Sequence, residues 1–198
     1  MSHANAMHTP WQAHHFLQAS DSPSWEHRDP NVVRDYQQAV GSCMFLTVFT
    51  RGDGAFAVNK CARFNGQSRA NTCRGNSTSA EIFGRTRSVG LTLTRTNSAH
   101  ANQLYDTADA NHVGADDRRS VSGWVVLLNG AMVLWASKRQ PATTLSSTET
   151  KFYAVSLFGL DCKYLQRMID MMRYKQIGAT AIAQDNNACI FLVKGSSM

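Results

Sequence analysis

Apolar positions along the chain fall into stretches of distinct period. After Asp29-Pro30, residues Val33, Tyr36, Val40, Met44 and Leu46 recur at roughly helical spacing to about Thr50. Asp is a good N-cap and Pro suits the first helical position, so this pair predicts where the helix begins. Arg51-Gly52-Asp53-Gly54 predicts a turn, 55–64 a second short helix, and the polar, aperiodic stretch 65–80 a loop. Further on, 104–110 predicts a strand. Two β-rich runs, 121–128 and 131–137, flank Asn129-Gly130, a pair that tolerates positive φ and so predicts a type I′ hairpin. Ser146 and Glu149 form an S-x-x-E capping box. Behind it Phe152, Tyr153, Leu157, Leu160, Tyr164, Leu165, Met168 and Met172 hold a helical period to about Arg173. After Gly178 the chain predicts a strand at 179–185, then a short helix at 187–194 that Gly195 stops. Three strands, a helix, a strand and a helix predict a mixed α/β sheet with helices packed on it.

Composition narrows the class. The chain has 198 residues, 43% hydrophobic and 17% charged, which provides for a packed core and argues against wholesale disorder. The longest apolar run, 43–49, has seven residues, whereas a membrane span needs roughly 18, so no membrane partner is expected. The opening MSHANAMHTPW has no basic start followed by an apolar stretch, and five cysteines contain no C-x-x-C. These features predict an intracellular protein, cytoplasmic or nuclear, that is not secreted. A net charge of +6, a pI near 9.3, and six arginines against one acid from Arg63 to Arg95 point to a polyanionic partner, most often nucleic acid. Residues 1–28 hold five of the seven histidines without periodicity, and predict a flexible extension rather than a metal site.

Three acids stand where chemistry is conceivable: Asp109 near the end of the first predicted strand, Glu149 in the first turn of the long helix, and Asp185 at the end of the fourth strand. If the first and fourth strands are neighbours and the helix starts over that edge, the three carboxylates converge, and converging carboxylates repel unless a cation neutralises them. Mg²⁺ takes oxygen ligands, and two such ions ~3.5–4 Å apart serve an in-line phosphoryl displacement. Each acid also has a plainer role. Glu149 can cap its helix, Asp185 can cap the helix that follows, and Asp109 can be a solvated acid beside Asp106, Asp116 and Asp117. Asp106 and Asp109 are three apart and face opposite ways in a strand, so only one of them belongs to a cluster, and spacing does not choose.

Five blocks in order carry a resemblance: Asp109-Ala110-Asn111, DDRRSVSGW at 116–124, SKRQP at 137–141, LSSTETKFYA at 145–154 and QDNNACI at 184–190. Residues 104–198 resemble the ribonuclease H domain at the C-terminal end of copia-type retrotransposon polyproteins. The stretch RDYQQAVGSCMFLTVFTRGDGAFAVNKCARF resembles the segment linking reverse transcriptase to that domain, where the family usually has T-R-P-D in place of Thr50-Arg51-Gly52-Asp53. The resemblance divides the chain into an extension (1–28), a helical connection-like segment (29–64), a poorly defined linker (65–103) and a partial ribonuclease H-like domain (104–198).

The resemblance chooses Asp109 over Asp106. It implies that Asp109, Glu149 and Asp185 hold two Mg²⁺ and hydrolyse the RNA strand of an RNA–DNA hybrid, with Arg118, Arg119, Lys138 and Arg139 as candidate backbone contacts. It also implies that the rest of a retroelement polyprotein is a partner. The departures are specific. Residues 65–82 lack the family's helical pattern. Lys151 stands where the family commonly has an acid. The family continues past the position of Met198 with a basic, His-containing segment, a strand and a helix, so a C-terminally incomplete fold lacking a fourth metal ligand is implied. An inactive remnant and a non-cleaving nucleic-acid-binding module are the alternatives to the nuclease.

Overall fold

A computed structural model describes residues 29–65, 81, 83–94, 102–111, 119–176 and 178–195. The extension at 1–28, most of the predicted loop at 65–80, and Arg118 lie outside the described residues. The chain divides into two compact units, Met1–Gly90 and Leu91–Met198. None of the described helices is long and apolar enough to cross a membrane.

In the first unit, helix α1 (Pro30–Phe49) starts where Asp29-Pro30 predicts, the Asp29 carboxylate accepting from the Asn31 backbone N–H. Its buried face is Tyr36, Val40, Cys43 and Thr47, a stripe at steps of four, three and four. Met44 and Leu46 of the predicted stripe lie to either side of that line and are exposed. After a 3-10 turn (Gly52–Gly54) comes α2 (Ala55–Ala62), two residues shorter than predicted. Its Val58 and Cys61 join the core beneath α1, and the Tyr36 hydroxyl donates to the Cys61 carbonyl at 2.7 Å. Arg51 is buried with its guanidinium on the Asp53 carboxylate at 2.8 Å, on the Thr86 carbonyl at 3.2 Å, and 4.8 Å from the centre of the Phe83 ring. Gly54 lies against that ring: a Cβ there would meet its tip at 2.2 Å, so the Phe83 ring would have to move to admit one.

The second unit is built on strands β1 (Leu104–Asn111), β2 (Val121–Leu128), β3 (Ala131–Arg139) and β4 (Ala181–Ala183), with helices α3 (Ser147–Met171) and α4 (Asn187–Lys194). The sheet order is β3-β2-β1-β4; β1 and β2 are antiparallel, as are β2 and β3, while β1 and β4 run parallel. Asn129 and Gly130 both have positive φ (54° and 79°), as the predicted hairpin requires. One face of the sheet buries Leu104, Ala108, Trp124 and Val126 against Val155, Phe158, Cys162 and Ile169 of α3 and Cys189 of α4. This is a mixed α/β architecture, consistent with the ribonuclease H-like fold implied above. Strand β4 is shorter than the predicted 179–185, and its flanking residues serve as turn and ligand to the neighbouring elements.

Candidate active site at the ends of the parallel strands

The register of β1 and β4 makes the site. Thr107 stands opposite Ala183, and Asp109 and Asp185 each lie two residues further along the same direction. Past the last ladder pair, the Gln184 side-chain amide donates to the Ala108 carbonyl at 3.1 Å and keeps the two segments together. Asp185 does not cap α4. That role falls to Asn186, whose side chain accepts from the Cys189 N–H at 2.8 Å, and it leaves the Asp185 carboxylate exposed. Asp109 is also exposed, whereas Asp106, on the opposite alternation of β1, is fully buried.

The start of α3 is held over this edge by a buried polar network. Gln140, the glutamine of SKRQP, is 1% exposed. Its backbone N–H donates to the Ser120 carbonyl, and its side-chain amide donates to the Ser122 hydroxyl at 2.8 Å and the Thr150 carbonyl at 3.0 Å. The Thr150 hydroxyl in turn donates to the Ser146 carbonyl at 2.8 Å. One side chain thereby fastens the end of β3 to β2 and to the first turn of α3.

The residue that this helix aims at the acid pair is Lys151. Its ammonium lies 3.0 Å from Asp109 Oδ1 and 2.5 Å from Asp185 Oδ1, with only 15% of the side chain exposed. Glu149 is elsewhere: its Oε2 accepts from the Leu145 backbone N–H at 2.7 Å, while the Ser146 hydroxyl accepts from the Glu149 N–H at 3.1 Å. The capping reading of Glu149 is therefore the arrangement observed, with the carboxylate reaching one residue beyond the capping serine. Two positions along a helix turn a side chain about 200° around the axis, so residues 149 and 151 cannot share a face. The structure brings Asp109 and Asp185 together and does not bring Glu149 to them. Lys151, whose role the sequence left open, is the group it places between them. A signal for this was present: counting back from the buried Phe158 and Cys162 by seven and eleven gives 151, so this position continues the inward stripe of α3.

The electrostatics follow the geometry. The Asp185 carboxylate, by accepting from Lys151, lowers its own pKa and raises that of the lysine, Asp109 adding to the latter. Among the described residues no group of three His, Cys, Asp or Glu side chains is arranged to hold a metal ion. The donor set does not fit a pair of Mg²⁺ ions: the two convergent carboxylates are spent on an ammonium, and the third acid is spent on a helix terminus. The basic residues lie at the same end of the sheet, since Val121 pairs with Arg139, and Ser122 with both Lys138 and Ala110. Lys138 is exposed, with Asp161 at 3.7 Å and the Trp124 ring centre at 4.9 Å; Arg119 and Arg139 are exposed.

Beneath the site, Asp106 Oδ2 accepts a weak bond from the Cys162 thiol at 3.6 Å and its Oδ1 has no partner. Burial pushes this carboxyl up to about 6, the thiol contact opposing the shift.

Comparison with known proteins bears on this arrangement. Secreted RxLR effector protein 161 of Plasmopara viticola is 36% identical over 122 residues, which are 61% of this chain and 84% of the relative. The retrovirus-related Pol polyprotein from transposon TNT 1-94 of Nicotiana tabacum is 26% identical across 99% of this chain, and that from transposon RE1 of Arabidopsis thaliana 25% across 80%. Over most of its length the chain is thus homologous, at low identity, to retrovirus-related Pol polyproteins of copia-type transposons. It spans 14% and 11% of those two polyproteins, a share compatible with one segment of a retroelement polyprotein. No family model and no solved structure matches this chain. The expectation of an intracellular, non-secreted protein is overturned, because a relative sharing 36% identity is a secreted effector by name.

Proposed function

We propose that the second unit is a retroelement-derived ribonuclease H-like module that grips nucleic acid through its sugar–phosphate backbone without cutting it. The observation that carries this reading is the Lys151 ammonium between Asp109 and Asp185. A two-metal hydrolase needs convergent acids with lone pairs turned to the ions, and here a fixed positive charge occupies that focus. Support for binding comes from the basic side chains of Arg119, Lys138 and Arg139 at the same end of the sheet, within a chain whose overall net charge is +6. Such contacts follow phosphate rather than base, and they weaken steeply as salt displaces them. An RNA–DNA hybrid is the natural first ligand to offer, given the Pol relatives.

The test uses the full chain with a labelled RNA–DNA hybrid, followed by anisotropy across a salt series and by gel in Mg²⁺ or chelator, beside Asp109→Asn. The expected result is salt-sensitive binding with no Mg²⁺-dependent cleavage. Cleavage that needs both Mg²⁺ and Asp109 would restore the hydrolase, with Asp109, Glu149 and Asp185 as its acids. Absence of binding at low salt from a folded chain would leave the inactive remnant.

A further inference from the structure

Lys151 joins elements that are remote in sequence. Its partners stand 42 positions before it, at the end of β1, and 34 after it, in the turn between β4 and α4. The pair β1–β4 is tied by a ladder of only three residue pairs, and β4 itself is three residues long. Two carboxylates brought level at the ends of such a short ladder repel each other and push the strands apart unless a positive charge sits between them. The Lys151 Nζ is that charge. Its side chain is mostly shielded from water, at the N-terminal end of the stripe that α3 buries. The stem thus lies against the fold while the ammonium sits at its rim.

We propose that Lys151 is the resident structural cation of this site: it closes β1, α3 and the β4–α4 turn on one another, and so makes the folding of the second unit independent of divalent ions. This rests on the reading of the acid pair as a site committed to lysine. An acid at 151 would place a third carboxylate at the same focus and make closure depend on a bound cation.

The experiment is thermal unfolding of the full chain, followed by tryptophan fluorescence, in chelator and in MgCl₂ or MnCl₂ at matched ionic strength. Three proteins are compared: unaltered, Lys151→Gln and Lys151→Glu. The unaltered chain is expected to melt at the same temperature with and without divalent ion. Lys151→Gln melts lower and gains little from the ions. Lys151→Glu melts lowest in chelator and rises with a saturable dependence on Mg²⁺ or Mn²⁺. In an Asp109→Asn/Asp185→Asn background, Lys151→Gln loses most of its effect, which ties the loss to these two partners. The proposal is overturned if Lys151→Gln melts with the unaltered chain, if the unaltered chain is itself stabilised saturably by Mg²⁺, or if Lys151→Glu is unresponsive to divalent ion, including by staying unfolded in it. These outcomes are separate from the hybrid assay. A chain that cuts hybrid sinks the proposed function, whereas a chain that does not cut but is indifferent to Lys151→Gln sinks only this inference.

Discussion

Arg51 in the first unit and Lys151 in the second are both shielded cations, and they are held in opposite ways. Arg51 finds Asp53 two residues away, and the Phe83 ring and Thr86 carbonyl complete its surroundings. Lys151 reaches across the sequence to two exposed acids that only the sheet brings level. The first arrangement is specified by a short loop and exists whenever that loop is formed. The second is a product of register, and it reports whether β1, α3 and β4 are assembled. A local pair of this kind stabilises what is already nearby, whereas a long-range one carries a larger loop-closure entropy before it returns anything.

The contrast can be broken most severely on the Arg51 side. Asp53→Ala leaves a buried guanidinium without its carboxylate, a change expected to cost about 3 kcal/mol because the unpaired charge stays desolvated. Hydrogen exchange at α1 and α2 amides should accelerate accordingly; unchanged exchange would mean that the Thr86 carbonyl and the Phe83 ring suffice.

The next effect belongs to Asp106, where the second unit buries a charge-bearing group without any cation. Its folded pKa of about 6 lies above the ordinary 3.8. The folded state therefore holds the proton more tightly, and stability is fullest below about pH 4, declines through the window from 4 to 6, and is flat above it. The whole decline amounts to at most ~3 kcal/mol. Urea midpoints across this window should fall as pH rises, and Asp106→Asn should flatten them. Asp53 and Asp185, whose pKa values are lowered by their cations, act with the opposite sign and below this window.

Smaller still is Gln140→Ala, which removes the amide that ties Ser122 to Thr150 and is expected to cost about 1–2 kcal/mol in urea unfolding. It also loosens the first turn of α3, so the Lys151 ammonium should become more accessible to acylating reagents. No change in labelling would separate the Gln140 network from the lysine. The smallest effect is expected for Lys138→Ala. This exposed pair with Asp161 contributes under ~1 kcal/mol, while hybrid binding at low salt should weaken measurably. Equal loss of stability and binding would mark Lys138 as a structural residue alone.

Local chemistry was legible where one residue decides one torsion or one cap. Asp29, Ser146 and Asn129-Gly130 each specify a boundary from the chain alone, and all three stand as predicted. The buried stripe of α1 was half legible, because Met44 and Leu46 are as apolar as the residues chosen for the core and only exact helical spacing separates them. The site was harder. Glu149 satisfies a capping pattern and an acid-cluster pattern equally well in sequence, and in space the Leu145 N–H just ahead of the helix cap took it. Asp185 presents the same ambiguity, and there the next residue, Asn186, took the cap and released the aspartate. For Asp185 the deciding information lay in competition with the adjacent Asn186 for the Cys189 N–H, and for Glu149 in the reach of its carboxylate back to the Leu145 N–H; a motif encodes neither.

The parallel step of β1 with β4 has a consequence for how this protein tolerates change. Inserting one residue between Thr107 and Asp109 would carry the acid about 3.3 Å out of step and swing its side chain to the opposite surface of the sheet. A length change inside either segment is thus more damaging than most substitutions there, and spacing rather than side-chain identity is what this corner of the molecule can least do without.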